Sequence, residues 1–214
     1  VSRQAESSFR AAIGDYDTIL VRDNIVDLDI IRKKAREAAP EKQGKVLCAV
    51  GRICEAKNYP MLLQACDILN KKGLSFTLWI VGGGAEMEDL SALKERMGLT
   101  NVVLWGPQGN PYPYMMAADG YVCSSIYEGL STTTIEALAL GKPCVVTDCV
   151  GMRDILGDSA YGLIVPIEAA ALAEGMERLL TDDAFATHYG AKAAERAAYY
   201  APERCIREIE ELLV

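Results

Sequence analysis

The chain has 214 residues, which is enough to bury the core of one α/β domain. Half of the residues are hydrophobic, but no apolar run reaches the length needed to cross a bilayer. The net charge of −8 and the pI near 4.8 disfavour nucleic acid, whose phosphates repel an acidic protein, and we expect no such partner.

The cysteines indicate the redox environment. There are seven, they form no C-x-x-C pair, and most lie in apolar segments. An odd, scattered set is typical of reduced thiols rather than of a disulfide framework. We also recognise no signal peptide in the sequence. The expectation is therefore a cytoplasmic protein.

The first 44 residues predict two helices separated by a strand. Ser2 is a suitable cap for a helix that reaches Ala12, and residues 17–21 predict a short strand. After a turn, a charged helix is predicted from Leu28 to Ala39, because Pro40 cannot continue it.

From residue 45 onward, short apolar runs alternate with helical segments. Continuous apolar runs of this length predict strands buried on both faces, as in a parallel sheet. The predicted strands are 46–50, 76–81, 102–105, 120–123, 143–147 and 163–165. The predicted helices are 59–72, 86–97, 112–118, 131–140, 168–180, 183–199 and 202–213. Such a chain predicts an α/β fold, a doubly wound parallel sheet that is Rossmann-like, with extra C-terminal helices.

The most informative stretch is residues 124–143, with the sequence SSIYEGLSTTTIEALALGKP. It predicts a strand end, a tight loop and a helix that stops at Gly141. The free N–H groups near residues 131–133 form an anion site with a partial charge of about +0.5. Glu128 and Glu136 flank that site. An alternative interpretation is that Glu136 only closes a capping box with Thr133.

Two further loops follow predicted strands. Residues 51–58, GRICEAKN, follow the first strand, and their Arg52 and Lys57 suit a diphosphate, although both also fit a solvated loop. Three glycines, residues 82–84, follow the second strand. Met87 stands where a dinucleotide fingerprint needs a third glycine, so we interpret residues 82–84 as a tight strand-to-helix turn.

These stretches together resemble the group 1 retaining glycosyltransferases of the GT-B fold. Glu128 and Glu136 match the Glu-x7-Glu motif of that family, and Arg52 and Lys57 match its G-R-x4-K-[GN] loop. The resemblance covers about residues 45–200. It implies a nucleotide-sugar enzyme whose donor site lies in a Rossmann-like domain.

The resemblance also implies roles for single residues. Glu128 would lie at the transferred sugar and Glu136 at the ribose of a nucleoside-diphosphate sugar, with UDP or GDP as the nucleotide. Arg52 and Lys57 would neutralise the diphosphate, and N–H groups of the loop would hold it. The other implied donor-binding residues are Gly51, Gln108, Gly129, Leu130, Ser131 and Thr132.

Neither a cofactor nor a metal is expected, since protein groups supply the positive charge. Asp27 and Asp29 match the Asp-x-Asp of metal-dependent glycosyltransferases, but they open a predicted helix, whose dipole favours acids there. We therefore interpret the match as a coincidence. His188, the only histidine, lies in a predicted C-terminal helix and is expected to be structural.

The resemblance divides the chain into two parts. Residues 1–27 would be the last part of an N-terminal acceptor domain and its linker, and residues 28–214 the donor-binding domain. The rest of the acceptor domain is expected to be missing, so that the chain binds a donor without transferring its sugar. The acceptor would be a sugar or a lipid-linked sugar, and any membrane association would come through the missing domain.

Two alternative functions remain open. A nucleotide-sugar epimerase of the same fold would need catalytic histidines and carboxylates between its domains, and a single, remote histidine disfavours it. The other alternative is a non-catalytic module that binds nucleotide sugars. A binding screen with UDP-, GDP- and ADP-sugars would separate a nucleotide-sugar protein from other classes.

Overall fold

A computed structural model describes residues 3–14 and 24–211. Numbered along the chain, its strands are β1 Val46–Val50, β2 Thr77–Val81, β3 Val102–Gly106, β4 Gly120–Cys123, β5 Cys144–Thr147 and β6 Leu163–Val165. They form one parallel sheet in the order β3-β2-β1-β4-β5-β6. The predicted doubly wound, Rossmann-like sheet is confirmed, and each of the six apolar runs is a strand.

Helices cover both faces of this sheet. They are α1 Arg3–Ile13, α2 Leu28–Lys34, α3 Tyr59–Lys71, α4 Met87–Arg96, α5 Tyr112–Ala117, α6 Thr132–Ala139, α7 Met152–Leu156, α8 Ala169–Thr181, α9 Asp183–Ala197 and α10 Pro202–Glu210. Two 3-10 turns span Glu55–Lys57 and Ala198–Tyr200. No helix among the described residues is both long and apolar enough to cross a bilayer.

The strands are apolar because the sheet is buried on both faces. Along β1, Val46, Cys48 and Val50 belong to the core on one side of the sheet, and Leu47 and Ala49 to the core on the other. Each large apolar side chain buried in this way stabilises the fold by about 1.5–3 kcal/mol relative to exposure. The two cores fix the sheet and therefore the loops at its edges.

The strand order reverses next to β1, which lies between β2 and β4. The chain leaves β1 and β4 toward opposite faces of the sheet, and the loops that follow the two strands separate there. Such a switch point opens a crevice at the carboxyl ends of the strands, where open α/β sheets bind ligands. Residues 51–58 and 124–131, which carry most of the predicted site, border that crevice.

The structure corrects two expectations at the level of elements and leaves a third untested. Helix α2 ends at Lys34 rather than at Ala39, because the N–H groups of Arg36 and Glu37 bond to carbonyls three residues back and close a turn. The Asn110 side chain also donates to Lys34 O at 3.0 Å. Helix α7 was not predicted; it is a short helix between Gly151 and Gly157, both in the left-handed region. The strand predicted for residues 17–21 lies outside the described residues.

Candidate functional site

The loop after β1 is docked on the glycines that follow β2. The Gly51 N–H donates to Val81 O at 3.0 Å, and the Ile53 N–H donates to Gly83 O at 2.9 Å. A Cβ on Gly82 would lie 1.9 Å from Gly51 O, and one on Gly84 would lie 2.0 Å from Ile53 O. Positions 82 and 84 therefore require glycine because two backbones touch here, whereas a Cβ on Gly83 would meet the Pro107 side chain at 3.2 Å.

Lys57 and Glu128 join the loops after β1 and β4. The Lys57 Nζ lies 2.6 Å from Glu128 Oε1, and the two side chains are only 16% and 14% exposed. The Ser125 hydroxyl donates to the same Glu128 oxygen at 2.8 Å, and the Ser124 hydroxyl donates to Lys57 O at 2.7 Å. Two side chains predicted for one ligand thus form an ion pair with each other.

The ion pair keeps Lys57 charged. Burial by itself lowers the Lys57 pKa, but Cys123 and Glu128 outweigh burial, and the pKa is raised. Burial also raises the pKa of the Cys123 thiol, which is therefore neutral near pH 7, so Glu128 is the partner that carries charge. The crevice therefore contains a partly buried, positively charged ammonium group.

Helix α6 begins at this crevice with free N–H groups. Its N-cap Ser131 makes no side-chain capping bond, because the Ser131 hydroxyl accepts instead from the Thr134 hydroxyl at 3.0 Å. The Thr133 hydroxyl accepts from the Tyr121 hydroxyl at 2.8 Å. Within the described chain, no acceptor binds the N–H groups of residues 130–134. Thr132 is exposed, whereas Leu130 and Ser131 are buried.

Glu136 lies one turn into α6 and contacts a residue that the sequence analysis missed. The Tyr112 hydroxyl donates to Glu136 Oε1 at 3.0 Å. Burial raises the Glu136 pKa, while the Tyr112 hydrogen bond and the charge of Lys57 act against that rise. Burial and Glu136 raise the Tyr112 pKa to about 12, so the phenol remains a donor. The alternative capping box with Thr133 is wrong, since Glu136 bonds to α5.

The remaining predicted residues lie around this centre. Arg52 is exposed, and no described residue forms an ion pair with it. The Gln108 amide donates to Trp105 O at 2.9 Å within its own loop. A Cβ on Gly51 would lie 2.9 Å from Lys57 Cε, so that glycine makes room for the lysine, whereas Gly129 is surrounded by open space. The structure brings Lys57 and Glu128 into contact, and leaves Arg52 and Gln108 without a contact to them.

The acidic motif Asp27-Leu28-Asp29 is structural. The Asp27 carboxylate accepts from the Ile30 N–H at 2.9 Å and caps α2. Among the described residues, no group of three His, Cys, Asp or Glu side chains is placed to hold a metal ion. His188 is exposed on α9, and its ring contacts only that of Tyr189, at 5.1 Å between centroids, among described aromatic rings.

Comparison with known proteins identifies the family. The family model described as "Glycosyl transferases group 1" matches residues 30–204. The chain belongs to this family. The match includes both acids of the Glu-x7-Glu motif and the loop that carries Arg52 and Lys57, so the resemblance seen in the sequence is confirmed.

A curated glycosyltransferase is similar to this chain over most of the chain's length. An N-acetylgalactosamine-N,N'-diacetylbacillosaminyl-diphospho-undecaprenol 4-alpha-N-acetylgalactosaminyltransferase of Campylobacter jejuni is 32% identical over 194 residues, which are 89% of this chain and 52% of that protein. The chain thus spans about half of the length of this curated relative.

Solved structures of other proteins superpose on this chain. A sucrose-phosphate synthase of Thermosynechococcus elongatus superposes with a TM-score of 0.86 at 25% identity, over 100% of this chain and 56% of that chain. HepE of Anabaena, solved with UDP and glucose, superposes with a TM-score of 0.84 at 20% identity, over 99% of this chain and 61% of that chain. The fold is that of a GT-B glycosyltransferase domain.

Proposed function

We propose that this chain is the donor-binding half of a retaining group 1 glycosyltransferase, which moves a sugar from a nucleoside-diphosphate sugar to an acceptor. One observation carries the proposal. The Lys57–Glu128 ion pair, the free N terminus of α6 and Glu136 meet at the switch point of a doubly wound sheet. A cation and an anion-binding helix end at this place suit a diphosphate flanked by a sugar and a ribose.

The diphosphate would be held by three sources of positive charge. The Lys57 ammonium has three N–H donors, and Glu128 uses one of them at 2.6 Å, which leaves others for a phosphate oxygen. Arg52 is exposed and can form a bidentate contact. The backbone N–H groups of residues 130–134 add the dipole of α6.

Catalysis in this proposal is neutralisation of the departing diphosphate. When the bond between the sugar and the diphosphate breaks, negative charge grows on the leaving oxygen. Groups that are already in place stabilise that charge without reorganising, and one such donor is typically worth about 3 kcal/mol. Lys57 is fixed by Glu128 and is therefore suited to this role. Glu128 would face the transferred sugar and Glu136 the ribose.

The donor and the acceptor are proposed by class. UDP or GDP is the expected nucleotide, and UDP is the first to test because HepE, which has this fold, was solved with it. The expected acceptor is a sugar or a lipid-linked sugar in polysaccharide or glycoconjugate synthesis. The name of the Campylobacter jejuni relative includes such a lipid-linked sugar. No cofactor and no metal enter the proposed reaction.

The boundary and location of this half are also proposals. We take residues 1–27 as the end of an acceptor domain and residues 28–214 as the donor-binding domain, so the isolated chain should bind donor without transfer. The seven cysteines, all of them among the described residues, form no disulfide, which suits a cytoplasmic protein. Any contact with a membrane is assigned to the acceptor domain.

The direct test is a calorimetric titration of the chain with UDP, GDP and ADP and with their sugars. The proposal predicts saturable binding of one nucleoside diphosphate, without transfer to added acceptors. Binding of none of them would contradict a donor site. Transfer by this chain, free of contaminating enzyme, would contradict the assignment of half an enzyme.

A further inference from the structure

The Glu136 carboxylate is held on one side only. Its Oε1 accepts from the Tyr112 hydroxyl at 3.0 Å, and Oε2 has no donor among the described residues. The side chain is half-buried, and Oε2 is not among the buried polar atoms of the described residues, so it remains accessible. One oxygen is thus fixed by the protein, and the other is left for a ligand.

Tyr112 is itself connected, through Asn110, to the end of helix α2. Its N–H donates to Asn110 Oδ1 at 3.2 Å. The Asn110 amide then donates to Lys34 O at 3.0 Å and to Glu37 Oε2 at 2.9 Å, just where α2 ends. Pro111 and Pro113 restrict the backbone on either side of Tyr112. The end of α2 is therefore tied to Glu136 by two side chains.

We propose that Tyr112 is a positioning residue for ribose recognition, and that Asn110 makes this positioning depend on the end of helix α2. The inference rests on the proposed donor site. Tyr112 holds Oε1 so that Oε2 accepts the hydroxyl groups of a nucleotide ribose. A displacement of residues 34–37 moves Asn110, and through Tyr112 it changes the affinity for the nucleotide.

The same contact sets the pH range of binding. The ionised carboxylate is the stronger acceptor at both oxygens, so binding weakens as pH falls through the Glu136 pKa. Burial raises that pKa, and the Tyr112 hydroxyl and Lys57 lower it. Arg32, the cation of α2 nearest to α6, donates instead to Ala139 O at 3.3 Å. Removing the Tyr112 hydroxyl should therefore move the acidic limit of binding to higher pH.

Tyr112→Phe tests the positioning role, with Tyr114→Phe as its matched control. Tyr114 lies on the same helix with its ring 5.1 Å from that of Trp105, and no described residue bonds its hydroxyl. The probe is whichever of UDP and GDP the wild-type chain binds, together with its 2′,3′-dideoxy form. Tyr112→Phe should lower the affinity for the nucleotide about tenfold and leave the affinity for the dideoxy form unchanged. It should also raise the pH below which the nucleotide no longer binds. Tyr114→Phe should change nothing.

An equal loss of affinity for the nucleotide and for its dideoxy form would show that Tyr112 only supports the fold, and would overturn the inference. So would an unchanged affinity in Tyr112→Phe. Failure of the wild-type chain to bind any nucleoside diphosphate would instead contradict the proposed function itself. The two failures are therefore distinguishable.

Asn110→Asp tests the connection to α2. The carboxylate keeps an acceptor for the Tyr112 N–H but cannot donate to Lys34 O, and it faces Glu37 with like charge. We expect a loss of affinity of about threefold for the nucleotide, and no further loss when Asn110→Asp is added to Glu136→Gln. Full additivity of the two changes would contradict the connection.

Discussion

Lys57 Nζ and Glu128 Oε1 lie 2.6 Å apart, although the two residues are separated by 71 positions in the sequence. The contact joins the loops that follow β1 and β4, the two strands at the switch point. Because both side chains are largely buried, the pair fixes the position of the lysine before any ligand binds. A cation fixed in this way stabilises developing charge at little cost of reorganisation.

The ion pair should contribute to stability. Lys57→Met or Glu128→Gln leaves the other charge partly buried and unpaired, and each should cost about 2 kcal/mol in the free energy of unfolding. The double variant should lose less than the sum, by about 1–2 kcal/mol. Urea unfolding measures all three. Additive losses would mean that the two charges do not interact.

The control for this cycle is the exposed ion pair of Lys71 and Asp67, whose charged atoms are also 2.6 Å apart. Lys71 is 75% exposed, so water screens the attraction. Lys71→Met with Asp67→Asn should show a coupling below about 0.5 kcal/mol.

Glu136→Gln should lower the affinity for the nucleotide without lowering the stability of the fold. Burial raises the Glu136 pKa, so its contribution to stability is present below the ordinary pKa and is lost as pH rises through the raised one. At pH 7 the ionised, half-buried carboxylate lowers the free energy of unfolding, so Glu136→Gln should be at least as stable as the wild type. Nucleotide affinity should fall about tenfold. Unfolding at pH 4 and pH 7 checks the sign; a clear loss of stability at pH 7 would contradict it.

Nucleoside diphosphate binding should not require a divalent ion. Lys57, Arg52 and the start of α6 supply the positive charge in this account, and the described residues hold no cluster of metal ligands. Titration with and without EDTA should give affinities within about threefold. A collapse that magnesium or manganese restores would return Asp27 and Asp29 to consideration as ligands.

Gly84→Ala should disturb the loop that carries Arg52. The new Cβ would lie 2.0 Å from Ile53 O, a contact that only a backbone shift relieves. We expect a loss of about 2–3 kcal/mol in stability together with weaker nucleotide binding. Gly109→Ala is the control, because a Cβ there meets nothing within 4 Å. Equal stability of the two variants would show that the glycine contact is unimportant.

The sheet was predictable from the sequence because strands buried on both faces contain little but apolar residues. Leu47 and Cys48 face opposite cores, and neither face of β1 offers a place for a charge. Helix ends were less predictable. At the end of α2, the Lys34 carbonyl accepts from Asn110, 76 positions away, and no local pattern signals such a contact.

The site was predictable in its members but not in its contacts. Motif spacing named Lys57, Glu128 and Glu136, since chemistry restricts the residue types. Their partners come from tertiary structure: Glu128 pairs with Lys57, and Glu136 with Tyr112. Tyr112 was missed because a tyrosine in a short Pro-rich helix is ordinarily a packing residue, and only the crossing of α5 and α6 reveals its hydroxyl.

The central claim is that the crevice binds a nucleoside diphosphate through cations of the protein, and Arg52 tests it most directly. Because no described residue pairs with Arg52, Arg52→Ala should leave the free energy of unfolding within about 0.5 kcal/mol. Arg96→Ala is the matched control, since Arg96 is also exposed but is the last residue of α4, before β3, and does not lie in a loop that follows a strand. In calorimetric titrations with UDP and GDP, the account predicts that Arg52→Ala weakens the bound nucleotide at least about tenfold while Arg96→Ala binds like the wild type. Equal affinities of wild type, Arg52→Ala and Arg96→Ala would contradict it.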